Sequence, residues 1–162
     1  MGEGPSFRAG RVADMTPVEG RGVVINRPVE DVWNFMVDIS NMPRWEDSRA
    51  VWKQMSEGPI QVGTSIQSAI TFLGRTVTFD LRVTEFEPNR TLSVEAVAGR
   101  TKGTKISYLL VPVEGRKTRL SRVTDGRFHG FVKLLQPFVG PITKRTGDLE
   151  ARNLKRLLEN QD

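Results

Sequence analysis

The chain has one histidine, one tyrosine and no cysteine, so few of its side chains can move protons or hold metals near neutral pH. His129, between Phe128 and Gly130, is the only group whose ordinary pKa lies near neutrality. A general base would most economically be this imidazole; the alternative is an exposed, inert histidine. With one histidine and no thiolates, a multi-histidine or cysteine metal centre is excluded, as is a Ser-His-Asp relay built elsewhere. No metal or cofactor is expected. Tyr108 and Arg122 are the other candidates. A buried phenol wants a hydrogen-bond partner and can orient a ligand oxygen, whereas a phenol at a sheet edge only meets water. Arg122 shares a strand phase with Leu120. If that phase points inward, its guanidinium needs an acid partner or an anionic head group. If Val123 marks the inner phase instead, Arg122 is a solvated surface group.

These residues sit within elements that the hydrophobic period identifies. Val23, Val24 and Ile25 follow Gly20 and Gly22 and read as a first strand. Pro28, Glu30 and Asp31 then suit the start of a helix. Val29, Val32, Trp33 and Met36 recur on one of its faces, which Phe35 and Ile39 widen. Ser40 and Asn41 can cap a one-turn helix over Met42 to Trp45. Trp33 and Met36 on the first helix, and Trp45 on the second, either fill a core or line a space.

Beyond Trp52, whose phase the sequence leaves open, the period changes to two. Val77, Phe79, Leu81 and Val83 alternate with polar residues, as do Ile66, Ile70 and Phe72 upstream. Leu92, Val94 and Ala96, then Ile106, Tyr108 and Leu110, continue the pattern, and Thr118 to Asp125 closes it. Turn signals at Gly74-Arg75, Pro88-Asn89, Gly99 to Gly103 and Glu114-Gly115 imply an antiparallel meander. From Gly130 the helical period returns. Phe131, Leu134, Leu135 and Phe138 belong to an apolar run broken by Pro137 and Pro141, which predicts a kinked or two-part helix. That run is either a lid or core against the first helix. Leu149, Ala151, Leu154, Leu157 and Leu158 form the apolar stripe of a long final helix. Residues 1–18, rich in glycine and proline, read as a flexible lead-in to one domain over 19–162.

In this order the chain resembles the START-like, SRPBCC superfamily, near its polyketide cyclase/dehydrase-like branch. The resemblance rests on Arg27 to Trp33, Met42 to Trp45, Gly58 to Thr64, Thr118 to Arg122 and Asn153 to Glu159. It implies an α+β helix-grip fold: a curved antiparallel sheet of about six or seven strands wrapped around the C-terminal helix, with two short helices after the first strand. It also implies a cavity between sheet and helix, with Trp33, Met36 and Trp45 where cavity and core meet. Ile70, Phe72, Phe79, Tyr108 and Leu110 would face inward from the strands.

Three function classes follow. The first is a binding module holding a lipid-, isoprenoid- or polyketide-like apolar molecule. The second is a cyclase or dehydratase acting in the same cavity, with His129 as base. The third is an interaction module for RNA or an anionic membrane. That third reading comes from eight basic residues between Arg100 and Arg127 set against Glu114 and Asp125, a net of +6 where the whole chain carries +5. A solvated sheet face explains the same run. The sequence shows no apolar stretch of the roughly 18 residues a membrane helix needs and no secretory leader, and with no cysteine a cytoplasmic location is expected. Gly58 to Thr64 echoes a phosphate loop but lacks its lysine and precedes a strand.

Overall fold

The alternation of apolar and polar residues closes into one antiparallel sheet in the computed structural model, which describes residues 18–19, 22–46, 50–72, 74–126 and 136–160. In chain order the elements are β1 (Val18–Glu19), β2 (Val23–Ile25), α1 (Val29–Val37), α2 (Met42–Trp45), β3 (Ala50–Gln54), β4 (Ser65–Phe72), β5 (Arg75–Glu87), β6 (Thr91–Ala96), β7 (Lys105–Val113), β8 (Lys117–Asp125) and α3 (Gln136–Glu159). The strands lie in the order β1-β8-β7-β6-β5-β4-β3. β2 pairs with β8 beside β1, so the first edge strand is interrupted and the eight segments fill seven positions. This is the expected helix-grip order, with the first strand beginning at Val18.

Register assigns the faces. Leu81 pairs with both Ile66 and Ala96, Val94 with Val83 and Ile106, and Ile106 with Thr124. Leu92, Tyr108 and Arg122 form the next transverse row, and Leu110, Leu120 and Val23 the one after it. A bulge between Val83 and Glu85 interrupts the thirteen-residue β5 and bends it, which curves this face inward.

Helix α1 starts after Pro28, whose missing N–H costs nothing at a helix start, and carries Glu30 and Asp31 in its first turn. It buries Val29, Val32, Trp33, Phe35 and Met36. Asp38 accepts hydrogen bonds from the N–H and hydroxyl of Ser40 at 2.9 and 2.6 Å, which holds the tight turn into α2. Asn41 does not cap α2 through its side chain. Its Nδ2 instead donates to Phe35 O, and its Oδ1 accepts from Arg44.

Helix α3 runs through Pro141 as one helix rather than two. Ala151, Leu154 and Leu158 are its buried stripe, while Leu149 is half exposed and lies off it. Its C-terminal turn is tied to the first edge strand. Lys155 Nζ donates to Val24 O at 2.7 Å and pairs with Glu159. Glu159 accepts the Asn26 N–H at 2.7 Å, and Arg27 Nε donates to Leu158 O at 2.8 Å. No described helix is long and apolar enough to cross a membrane.

Candidate functional site

The concave face divides into two regions. Under α1, α2 and the C-terminal half of α3, Ile25, Val32, Met36, Ile66, Val83, Leu92, Leu110, Leu120 and Leu154 form a continuous core. Towards the β4–β5 hairpin the packing loosens. Trp52 pairs with the small Ser68, which pairs with Phe79; Ala50 pairs with Ile70, which pairs with Val77. Ile70 and Phe79 are only half buried and Val77 is 51% exposed. Among the described residues these three occupy inward positions yet stand outside the packed core. They form an apolar floor.

A polar group lies in the rows beside it. Arg122 does point inward: its Nε stands 3.1 Å from Glu150 Oε2 of α3, and the two side chains are 11% and 10% exposed. Such a pair survives burial because each charge compensates the other; either alone would be costly. Burial on its own would lower the guanidinium's pKa, but Tyr108 and the Glu150 and Glu46 carboxylates turn the shift upward, so Arg122 stays charged. Gly147 of α3 makes room for it: a Cβ there would lie 3.2 Å from Arg122 Nη1 and 3.3 Å from its Cδ.

Tyr108, opposite Arg122 in the register, is buried and donates from its hydroxyl to Glu46 Oε1 at 2.8 Å. Burial first, then the Glu46 and Glu150 carboxylates, push its phenol well above the ordinary value of 10.0, so it remains a neutral donor across physiological pH. Its ring meets the edge of Trp45 with centroids 5.5 Å apart. The indole N–H groups of Trp45 and Trp52, and the Thr124 hydroxyl next along β8, are buried without a hydrogen-bond partner among the described residues.

The sequence-derived candidates thus separate. Tyr108, Arg122 and Trp45 come together at the polar end, and Ile70 and Phe79 lie on the floor. Trp33 packs against Phe86 and belongs to the core with Met36, Leu110 and the buried Trp45 and Tyr108 rings, and Trp52 packs against that core. Phe72 lies in β4 and Phe138 in α3. His129, Phe131, Leu134 and Leu135 lie outside the described residues. Glu46, Gly147, Glu150 and Thr124 were not anticipated. One signal for Glu150 was legible: an acid placed between Gly147, Ala151 and Leu154 on the buried stripe of α3. The described members of the basic run between Arg100 and Arg127 are dispersed. Lys105 pairs with Glu85 and Arg122 is interior. Lys102 and the Arg116-Lys117 turn lie at opposite ends of β7, about 30 Å apart at strand rise.

The sequence profile described as polyketide cyclase / dehydrase and lipid transport matches residues 17–159. Solved structures share the fold. A START superfamily protein from Mycobacterium smegmatis superposes with a TM-score of 0.73 at 15% identity, covering 90% of this chain and 99% of that one. A protein from Thermus thermophilus gives 0.72 at 14%, covering 89% and 97%. The Zhui aromatase/cyclase from a Streptomyces species gives 0.71 at 13%, covering 90% and 94%. Among curated proteins none matches.

Proposed function

The chain belongs to the polyketide cyclase/dehydrase and lipid transport family, and on that premise we propose that it binds an apolar small molecule in the concavity between sheet and α3. One observation carries the reading: Ile70, Val77 and Phe79 take inward positions in the strand register without joining the core formed by the described residues. Apolar groups left at an inward-curving surface gain when a guest replaces water. Covering about 500 Å² at about 25 cal/mol per Å² yields about 12 kcal/mol, which leaves about 8 kcal/mol, a micromolar affinity, after an association cost of about 4 kcal/mol. The rows holding Tyr108, Arg122 and Thr124 then supply the polar end that orients the guest.

A second reading, in which the guest is cyclised or dehydrated there, is supported by the same polar end. A neutral phenol and a compensated guanidinium in a buried setting are suited to polarising a carbonyl oxygen. Binding of RNA or an anionic membrane through residues 100–127 gains no support from the separated positions of their charges.

The test is direct. Anilinonaphthalene, an uncharged apolar fluorophore, is titrated into the protein, and its emission on tryptophan excitation reports both binding and proximity. We expect micromolar binding that Phe79→Glu and Ile70→Glu each weaken about tenfold or more, with the far-ultraviolet circular dichroism of both variants unchanged. Equal affinity for the wild type and both folded variants would contradict the assignment.

A further inference from the structure

We propose that the outer ridge of α3 docks the protein on an anionic lipid bilayer, with three arginines meeting the head groups and Leu149 entering between them. The ridge is a surface separate from the concave site, and it acts without any guest in that site.

Gly147, Ala151, Leu154 and Leu158 are buried and fix the side of α3 that faces the sheet. At about 3.6 residues per turn, the residues diametrically opposite are Arg145, Leu149, Arg152 and Arg156. All four are exposed, Leu149 by 50%. They stand in one row about 16 Å long, with the leucine inside it. Among the described residues none of these three arginines forms an ion pair. Arg152 Nε donates to Asp148 O, a backbone carbonyl, which leaves the guanidinium charge uncompensated.

Three free guanidiniums in a row fit an extended anion rather than a point charge, and the leucine among them adds an apolar requirement. An anionic bilayer meets both. Its head groups are laterally mobile and gather under the row, and each basic residue near such a surface strengthens binding about fivefold. Leu149 then reaches the boundary between head groups and acyl chains, where its exposed area leaves water. A nucleic-acid groove fits less well. The half-buried acids Asp148 and Glu159 lie along one flank of the ridge, and a groove sets phosphates on both walls. A flat surface meets the ridge and leaves that flank in water. A single helical ridge about 16 Å long also falls well short of the roughly 800 Å² per side of a stable protein interface.

Flotation with vesicles tests the ridge, comparing equal parts phosphatidylserine and phosphatidylcholine with phosphatidylcholine alone and adding no guest. The anionic vesicles should be bound at least about tenfold more tightly, with affinity falling as salt is raised. Arg145→Gln, Arg152→Gln and Arg156→Gln combined should weaken binding about thirtyfold or more. Lys102→Gln, Arg116→Gln and Lys117→Gln combined remove the same charge from exposed sites elsewhere and should weaken it less than about threefold. Leu149→Gln, which changes no charge, should weaken it about threefold or more. Every substituted position is exposed, and circular dichroism verifies that each variant keeps its fold. Equal weakening by the two triple variants would overturn the proposal, since net charge alone would then explain the attraction. So would an unaffected Leu149→Gln, or an oligonucleotide duplex that binds the same arginines more tightly than the vesicles do. No binding to anionic vesicles would also overturn it. All these results would leave the concave-site reading standing, because no guest enters the measurement.

Discussion

Arg122 and Tyr108 determine the character of the interior, and each makes a measurable claim. Removing one partner of an enclosed ion pair strands the other charge, so Glu150→Leu should cost about 3 kcal/mol or more in denaturant unfolding. Adding Arg122→Met to that variant should restore most of the loss, and a double variant no more stable than the single would contradict the pairing. Tyr108 is the only tyrosine, so alkaline absorbance titration reports it alone. Its folded pKa is raised. Its contribution to stability is therefore complete below 10.0 and is lost as pH climbs through the folded value. Ionisation should be absent near pH 10.0 and appear at higher pH or on unfolding; a midpoint at the ordinary value would show an exposed phenol. Gly147→Ala should lose about 1 kcal/mol where helix propensity alone would add about that much, because the new Cβ meets Arg122. At this scale the sequence was informative by type but not by direction. Alternation placed Leu120 and Arg122 on one face together, and only the pairing of Arg122 with Tyr108 in the sheet shows that this face is the inner one.

Elements were more legible, because a period of 3.6 or 2 records burial over many residues at once. The stripe of α1 is buried as read, from Val29 to Met36. The stripe of α3 keeps Ala151, Leu154 and Leu158 but loses Leu149, which lies on the far side of Gly147 and Glu150, where the helix turns its small and acidic residues inward. Pro141 did not divide that helix; a proline removes one donor and crowds one carbonyl, and the turns on either side continue. What the sequence could not express is how α3 docks, since Lys155, Glu159, Asn26 and Val24 meet across most of the chain. Burial alone would raise the pKa of Glu159, yet Lys155 and the Asn26 N–H outweigh it and lower it below the ordinary 4.5. A lowered carboxylate contributes stability above its unfolded value and loses it as pH falls through the folded one. Glu159→Gln should therefore cost about 1 kcal/mol at neutral pH. Its deficit should shrink as pH drops below 4.5, as followed by thermal unfolding. A deficit that is constant with pH would show that the charge contributes nothing.

For the whole molecule, the order of strands and helices sufficed to identify the fold, and the profile match over residues 17–159 agrees with it. The relation between packing and open space was not legible. Periodicity tells which face of a strand is turned inward, and it is silent on whether a side chain or a guest meets it there. Met36 and Leu110 therefore looked like Phe79 and Ile70 in the sequence, although the first two are enclosed and the last two are not. The described charges of the basic run are neighbours along the chain, and the fold carries Lys102 and the Arg116-Lys117 turn to opposite ends of β7. The three tryptophans sample this division, with Trp33 and Trp45 enclosed in the core and Trp52 half buried in the row of Phe79. The most direct measurement is proton–nitrogen NMR of their indole N–H groups during titration with anilinonaphthalene. The Trp52 resonance, in the row of Phe79, should move in a saturable way while Trp33, held against Phe86, stays in place. Three stationary indoles, with shifts confined to outer-face amides such as those of Leu109 and Val111, would contradict a guest between sheet and helix.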